Sequence, residues 1–463
     1  MKLWPFPLWL ALVLFPVFPA PAEELAEAPP EPARFLIEAI TVEGPAEAVA
    51  NIIRAETLLK EGQAYTEEEL RQAINRVHRL PFVLDAAFAL RKGSERGSYE
   101  LVIEADPARW FFFDHWMRAH WLDEPLAINP GDLGTGDDDT FTFALGGLVG
   151  ARWFVGRSGV LFGAIDSEEA FQVGFTQYDL LGRGIVASAG WSRSSCCVSE
   201  PLPIGLDPTF AVWDFAQSNR MALHLAVPLG GRQSLQVTVS ELRGDVGLRK
   251  QILPGSDPLS GAVDDGDLSY QRARAEWVYD TSDDPILPTR GVTLSGGVEA
   301  SRFEGENLSA IRSSPGPDGP VFTSEPLPPF ESRQVGAAVT GTRHWSVTPR
   351  QAVSATGRIA AGRSRVENLL VQGEPLPATN LTIVSGSAGV RHALSLIRSR
   401  GRGNFNDLWL ETSAEYGVER TSPDLGPSPL ERLSLSIALL FRNQWGRVRA
   451  SLTYLDVGKV LRQ

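Results

Sequence analysis

The sequence has few cysteines and a deficit of positive charge. Its 463 residues include only two cysteines, Cys196 and Cys197, and adjacent cysteines rarely bridge each other because the bridge would be strained. A disulfide scaffold is therefore excluded, and burial of apolar side chains must stabilise the fold. Lys and Arg number 43 against 56 Asp and Glu, which gives a net charge of −13. That balance disfavours nucleic acid as a partner.

Long apolar runs are absent from the chain after its N-terminal segment: no later stretch reaches the ~18 apolar residues of a membrane helix. The opening segment, "MKLWPFPLWLALVLFPVFPAPAEE", joins an early lysine to an apolar stretch and a small-residue cleavage site ending at Ala22. It predicts a signal peptide over residues 1–22 and hence export. A membrane anchor helix is the alternative, which the prolines and the small-residue site disfavour. Residues 23–33, "EELAEAPPEPA", are typical of a disordered spacer.

Residues 34–106 predict a small α+β domain. A strand over 35–44 is followed by apolar residues at helical spacing over 46–59, and Thr66 with Glu69 forms a capping box that opens a second helix. Two further strands follow, so the predicted order is β-α-α-β-β. This order, with the strand entry "LPFVLDAAFAL", resembles a polypeptide-transport-associated (POTRA) domain, and a generic small α+β domain is the alternative. The resemblance implies that a client chain is bound by adding a strand to the sheet edge.

Residues 107–463 predict an all-β antiparallel transmembrane barrel of about 14–16 strands. Apolar and polar side chains alternate in short segments, for example in "LWLETSAEYGVE" (408–419) and in 432–442. A soluble β-sandwich also alternates, but ionised Glu and Arg on the polar face suit a water-filled lumen better than a dry core. The aromatic cluster "RWFFFDHWMRAHW" (109–121) is typical of a membrane–water interface.

The links between the predicted strands differ in length. Roughly 30 residues follow position 303, the short turn "SVTPRQ" comes next, and roughly 40 residues follow Ser364. Outer-membrane barrels have long outer loops and short periplasmic turns, so the stretch at 279–291 is expected to face the periplasm. This predicts a barrel in the outer membrane of a Gram-negative cell, with its N-terminal domain in the periplasm.

Three motifs resemble the outer-membrane assembly-factor superfamily, which includes the BamA and TamA families. "YDTSDDPILPTRG" (279–291) is similar to a turn motif of the superfamily, and "DLLGRG" (179–184) to a turn nearer the start of its barrel. "GSAGVRHAL" (386–394) is similar to the tip of a long loop that folds into the lumen, but His392 and Ala393 replace the expected Gly-aromatic pair. The residues that carry the turn motifs are Asp280, Asp283, Pro285, Pro288, Arg290 and Gly291 in the first, and Leu181, Gly182 and Gly184 in the second.

The loop-tip motif, Val390-Arg391, implies a contact inside the lumen, because in the superfamily this arginine binds acidic residues of the inner wall. Alternation places Glu411 and Glu415 on the polar face of the next strand, which makes both candidate partners. Asp456 lies in "YLDVGKV", which resembles a late strand of the superfamily. The alternation predicts that its side chain faces the lipid, so Asp456 is a weaker candidate partner than the two glutamates. An ordinary loop arginine in solvent is the alternative.

The expected number of strands differs from that of the superfamily. About eleven precede the long loop and about three follow it, whereas the superfamily has about five there. A barrel of about fourteen strands would close and leave its C-terminus in the periplasm. The final residues, "KVLRQ", lack the terminal aromatic typical of such barrels, so a shortened member or an incomplete chain is expected.

The resemblance implies a non-enzymatic protein that inserts or translocates polypeptides at the outer membrane. Its expected partners are the lipid bilayer, unfolded outer-membrane or secreted client chains, and other subunits of an assembly complex. A passive outer-membrane channel or transporter is the alternative. An enzyme is disfavoured because the sequence has no G-x-S-x-G elbow and no H-E-x-x-H pair. No catalytic residue, metal or cofactor is expected.

Overall fold

The computed structural model of the protein describes residues 33–122, 140–166, 171–194, 198–201, 212–247, 263–283, 288–316, 319–326, 328–367, 370–371, 374–375, 378–399, 406–422 and 430–457. The predicted signal peptide, nearly all of the predicted spacer, both cysteines and Pro285 lie outside these ranges.

A four-stranded sheet and two helices form the N-terminal domain. Their order is β1 (Arg34–Glu43), α1 (Glu47–Glu56), β2 (Gln63–Thr66), α2 (Glu67–Val77), β3 (Val83–Lys92) and β4 (Ser98–Pro107). The order across the sheet is β2-β1-β4-β3, and only β1 and β4 run parallel. The order predicted from the sequence lacks β2 and is wrong there, because four residues are too few to show a periodicity.

The helices form where the sequence supplies a cap and an apolar face. The Thr66 hydroxyl accepts from the backbone N–H of Glu69, and the Glu69 carboxylate accepts from the backbone N–H of Thr66, which is a complete capping box at the start of α2. Neither helix of the described residues is long and apolar enough to cross a membrane. Both pack on one face of the sheet, and the side chains buried between them are Ile37, Ile52, Ile53, Leu70, Val77, Leu101 and Ile103.

The rest of the described chain forms one large sheet that closes on itself. Fifteen of its seventeen strands form the ring, because β9 pairs with β11, β14 with β16 and β23 with β5. The ring strands are β5 (Phe111–Leu122), β6 (Thr140–Val155), β7 (Gly159–Asp166), β8 (Phe171–Leu180), β9 (Ile185–Ser194), β11 (Val212–Gly230), β12 (Gln233–Gly247), β13 (Val263–Asp280), β14 (Gly291–Gly316), β16 (Phe330–Thr348), β17 (Gln351–Glu367), β20 (Thr379–Ser399), β21 (Asn406–Ser422), β22 (Leu430–Asn443) and β23 (Gly446–Val457). Two shorter strands extend this sheet, β10 (Val198–Pro201) and β15 (Gly319–Pro326), and β18 (Leu370–Val371) pairs with β19 (Glu374–Pro375).

An odd number of strands decides how the barrel closes. Neighbours within the ring are antiparallel, so the first and last of fifteen strands run in the same direction, and β23 pairs with β5 in parallel. The prediction of a β-barrel is confirmed, and the observed number of strands falls within the predicted range. The prediction of antiparallel pairing throughout is wrong at this one joint, which we call the seam.

The two ends of the barrel differ in the length of their links. At the end that we call proximal, short turns join β8 to β9, β11 to β12 and β16 to β17. At the opposite, distal end the links span more residues, for example 123–139 between β5 and β6 and 248–262 between β12 and β13. Short turns therefore gather at the end to which the N-terminal domain is joined.

The two faces of the wall differ in polarity. Leu223, Val335 and Ile359 point away from the lumen and are 61%, 63% and 64% exposed. Their sequence neighbours on the other face include Gln334 and Arg358, which belong to the lining of a concavity inside the ring. The predicted alternation is therefore present in the wall, with the apolar side chains outward.

Two segments predicted as long loops are mostly strand. The motif 386–394 lies inside β20, which pairs with β17 on one side and β21 on the other, so Val390 and Arg391 are wall residues and the loop-tip prediction is wrong. Val390 is 52% exposed on the outward face. The link after position 303 is also largely extended, because β14 continues to Gly316 and pairs with β15. Regular alternation through both segments favours strand pairing over a loop.

Candidate functional site

The N-terminal domain contacts the proximal turns of the barrel through charged side chains. The guanidinium of Arg79, just after α2, lies 3.3 Å from the carboxylate of Asp280 and donates to its backbone carbonyl at 3.1 Å. Arg232, in the turn between β11 and β12, pairs with Glu68 of α2 at 2.9 Å. Two separate turns therefore hold the domain against one half of the barrel mouth.

An apolar contact supports this docking. Phe82, which follows Pro81 at the start of β3, is 1% exposed. Its ring lies edge-on to Phe154 of β6 and Tyr178 of β8, with ring centroids 5.2 and 5.8 Å apart. Arg152 donates to the backbone carbonyl of Pro81 at 3.0 Å. The core of the domain is thus continuous with side chains of β6 to β8, and the domain has a fixed position beneath this part of the wall.

An ion pair joins the two helices close to this contact. Arg76 donates to the Glu56 carboxylate at 3.0 Å and to its backbone carbonyl at 2.9 Å. Burial raises the pKa of Glu56, and the charge of Arg76 opposes that shift, while burial lowers the pKa of Arg76. Removing either partner would leave a buried charge unpaired, so the pair fixes α1 against α2 next to Arg79.

Two aspartates stabilise the turn at 279–291. Asp280 accepts from the backbone N–H of Ser282 at 2.8 Å. Asp283 accepts from the backbone N–H groups of Thr289 and Arg290 at 2.8 and 3.0 Å, and from the Thr289 hydroxyl at 2.6 Å. Gly291 has a φ of +110°, and a Cβ there would lie 2.5 Å from a backbone carbonyl. The turn is therefore rigid where Arg79 contacts it; Pro288 is half-buried and the Arg290 side chain exposed.

The turn at 179–184 makes a closer contact with the domain. Asp179 accepts from the backbone N–H of Gly184 at 2.8 Å, which closes the turn. Gly182 and Gly184 both have a φ of +67°, and Leu181 is 79% exposed. A Cβ on Gly184 would lie 2.3 Å from the side chain of Leu58, which follows α1, whereas a Cβ on Gly182 would meet nothing within 4 Å. Gly184 thus permits the docking, and Gly182 serves only the turn.

A charged cluster lies on the lumen face of the C-terminal strands. Arg391 of β20 donates to Glu411 of β21, whose side chain is only 6% exposed. Arg449 of β23 approaches the other oxygen of Glu411 at 3.3 Å. Glu415 is exposed and has no ion pair in the described part of the chain. Asp456 pairs in register with Leu433 of β22, a strand that does not pair with β20.

The seam joins β23 to β5 over ten register pairs, from Gly446 with Phe113 to Leu455 with Leu122. Arg447 and Asp114 form an ion pair across it at 2.5 Å. The backbone N–H of Phe113 donates to the carbonyl of Trp445 at 2.9 Å. These contacts lie at the proximal end of the seam, next to the turn that joins β22 to β23.

Gly446 is required for the approach of the two seam strands. A Cβ at this position would lie 1.8 Å from the backbone carbonyl oxygen of Phe113, far inside contact distance. The turn itself is held by Asn443, whose side chain accepts from the backbone N–H groups of Trp445 and Gly446 at 2.9 and 3.1 Å. The seam is therefore closed at its proximal end by close backbone packing.

No protein-family model matches the chain, and no curated protein matches it in sequence. BamA from Haemophilus ducreyi lacking POTRA domains 1–3 aligns with 11% identity and a TM-score of 0.40, over 90% of this chain and 80% of that chain. CdiB from Acinetobacter baumannii aligns with 7% identity and a TM-score of 0.36, over 88% and 70%. The ferric-catecholate import receptor Fiu from E. coli K12 aligns with 10% identity and a TM-score of 0.31, over 79% and 68%. At TM-scores below 0.5 these likenesses assign no family.

Sequence reasoning missed three residues that matter for this geometry. Leu58 has a positive φ, which apolar residues rarely adopt, so no pattern in the sequence predicts its contact with Gly184. Phe82 belongs to the predicted strand entry, but its partners are far away in the chain. Gly446 ends the segment "NQWG", a recognisable turn signal, yet its closeness to Phe113 depends on closure of the ring.

Proposed function

We propose that this protein is an outer-membrane β-barrel that inserts or translocates polypeptides, with its N-terminal domain in the periplasm. In this proposal an extended client adds to the edge of the domain's sheet, and the seam opens to pair with client strands. The partners are the lipid bilayer and unfolded outer-membrane or secreted clients, with other assembly subunits joining them. The observation that carries the proposal is a short parallel seam beside a docked domain whose β3 edge is unpaired among the described residues.

Within the part of the chain that the structure describes, the edge strand β3 has backbone groups free for a client. The backbone N–H of Gly93 bonds to Ser98, so alternate residues along β3 direct their N–H and C=O groups toward β4. The intervening positions, which include Phe88 and Leu90, direct theirs away from the sheet. The carbonyl of Ala86 follows this rule, because it contacts the His78 ring at 2.9 Å instead of β4. Beyond Ala86 the edge supports strand addition.

The seam supports the second step of the proposal. Parallel pairing is slightly weaker per residue than antiparallel pairing, and the seam is shorter than most ladders of the long-stranded wall. Docking fixes the domain beneath β6 to β14, close to the β5 side of the seam. A client held at the domain would therefore lie near the one parallel joint of the described ring.

Cross-linking the seam tests the opening step. In a cysteine-free background (Cys196→Ser, Cys197→Ser), Met117→Cys and Ala450→Cys are register partners across the seam. We expect oxidation to abolish insertion of an unfolded barrel client into liposomes, and a reductant to restore it. The matched control is Val339→Cys with Ile359→Cys, which are outward register partners on β16 and β17. Full insertion with a quantitatively cross-linked seam would contradict the proposal.

A proline on the edge strand tests client capture in the full-length protein. Leu90→Pro removes an N–H that points away from the sheet, whereas Leu90→Ala removes a similar amount of side chain and keeps the N–H. We expect the proline variant to lose binding of unfolded client strands by at least tenfold and the alanine variant to keep most of it. Equal binding by the two variants would rule out strand addition at β3.

A passive channel is the second candidate, favoured by one observation. A concavity of about 370 Å³ in the lumen wall is lined by ionised side chains, among them Arg272, Arg274, Glu299, Arg358 and Glu419. Such a wall suits the passage of small ions. Steady conductance in planar bilayers, unchanged by the seam cross-link and accompanied by no insertion activity, would support the channel and contradict the assembly function.

A further inference from the structure

Two rows of charge cross the outward face of the barrel near its distal end. The register pairs Arg302 with Arg333 and Arg333 with Arg365, so three arginines lie side by side on β14, β16 and β17. Neighbouring strands are about 4.8 Å apart, so this arginine row spans about 10 Å. Two residues farther toward the distal end, the same three strands carry the glutamate row, Glu304, Glu331 and Glu367.

The arginine row lies directly beyond the apolar part of the outward face. On the proximal side, the outward positions on these strands include Val298, Val335, Val339 and Ile359, which are 58%, 63%, 56% and 64% exposed. Val335 is the outward residue immediately below Arg333 on β16. On β14 and β16 the order from the middle of the barrel to its distal end is therefore apolar, then cationic, then anionic. On β17 a further outward arginine, Arg363, lies beside Val335.

The arrangement leaves the arginines with unused donors. Like charges directly opposite each other are unfavourable, and ion pairs with the glutamate row offset this. Arg302 lies 2.5 Å from Glu304, and Arg365 lies 2.7 Å from Glu367. The side chains of Arg302, Arg333 and Arg365 nevertheless stay 44%, 64% and 62% exposed. A guanidinium has five N–H donors, so each keeps several for a ligand on the apolar side.

We propose that the arginine row binds the phosphate groups of lipid headgroups in the leaflet at the distal end. Headgroup phosphates lie just outside the hydrocarbon, at the level that the row has relative to the apolar face. Arginine binds phosphate oxygens through paired N–H donors, and its long stem can remain on apolar surface. The glutamates face the water beyond. This inference depends on the proposed membrane location and is independent of assembly activity.

The test compares two triple variants of the full-length protein, purified and stripped of lipid. R302Q/R333Q/R365Q removes the arginine row, and E304Q/E331Q/E367Q removes the same ion pairs but keeps the arginines. Phosphatidylglycerol and an uncharged glycosyl diacylglycerol with the same acyl chains are added back, and bound lipid is counted by native mass spectrometry. We expect the wild type and the glutamate triple to prefer phosphatidylglycerol at least tenfold, and the arginine triple to lose that preference.

Three outcomes would overturn the proposal. If both triple variants lost the preference for phosphatidylglycerol equally, the two rows would only pair with each other and would bind no lipid. Equal binding of the two lipids by the wild type would show that phosphate is not recognised. If inorganic phosphate raised the melting temperature of the wild type as much as phosphatidylglycerol does, the row would be assigned to free anions. If either triple does not fold, Arg333→Gln against Glu331→Gln gives the same comparison, and recovery of the wild type outside the membrane fraction would instead refute the proposed location.

Discussion

The seam between β23 and β5 and the ladder between β16 and β17 are both joints of one barrel, but they differ in strength. The seam is parallel and has ten register pairs, whereas the β16–β17 ladder is antiparallel and has seventeen. The seam also depends on one close backbone contact at Gly446. A closed sheet thus need not be uniform, because an odd strand number concentrates the weaker pairing in a single place.

Gly446→Ala is expected to have the largest effect on this difference. Its Cβ would overlap the carbonyl oxygen of Phe113, so the proximal end of the seam must separate, at a cost of about 3 kcal/mol or more in unfolding free energy. Urea titration and heat-modifiable gel mobility measure the loss. Gly230→Ala is the matched control, since a Cβ there meets nothing within 4 Å. Equal stability of the two variants would mean that the seam does not depend on this contact.

Glu411→Gln is expected to loosen the β23 side of the seam. Glu411 holds Arg391 of β20 and Arg449 of β23, so its loss leaves two arginines facing each other in the lumen. We expect a loss of about 2–3 kcal/mol, since Arg449 is half exposed and partly solvated.

Glu415→Gln, on the same face of β21, is the control for this change and should shift stability by less than about 0.5 kcal/mol. The combination of Arg391→Ala with Glu411→Gln should cost less than the sum of the single variants. Additive effects in urea titration would show that the two side chains act separately.

Gly184→Ala is expected to have the smallest effect of the three changes. It weakens the docking of the N-terminal domain, which lies close to the β5 side of the seam. Gly182→Ala places an alanine at the same φ of +67° and so has the same conformational cost. The difference in unfolding free energy between the two variants therefore isolates the overlap with Leu58. We expect a difference of about 1–2 kcal/mol and faster proteolysis of the link at 108–110.

Leu58→Ala introduced together with Gly184→Ala should relieve that overlap and slow the cleavage again. Proteolysis rates that are the same for Gly182→Ala and Gly184→Ala would contradict the docking contact.

The sequence predicted those features that repeat locally. Alternation identified the barrel wall, and the capping box at Thr66 identified α2. Alternation also put Glu411 on the face where Arg391 lies. Residues paired in register point to the same face, and Arg391 pairs with Ser413, two residues from Glu411. The turn motifs could be located from their glycines and aspartates, whose hydrogen bonds are mostly within the turn.

Features that depend on distant partners could not be predicted in this way. The segment around Arg391 resembled a loop tip, and only its pairing with β17 and β21 makes it a wall strand. β2 exists because β1 supplies its hydrogen bonds. Phe82 of the N-terminal domain contacts Tyr178 of β8, and Gly446 brings the last strand of the ring against the first. No local pattern encodes either contact.

The seam also has a consequence for the order of events during folding. Asp114 and Arg447 are 333 residues apart, so the seam joins the two most distant strands of the ring. Closing so long a loop carries a large entropic cost, while each hairpin of the wall forms between near neighbours. Fifteen strands make seven hairpins and leave one strand without a hairpin partner. We therefore expect the seam to form last, so that the barrel passes through an open sheet with β5 and β23 as its free edges.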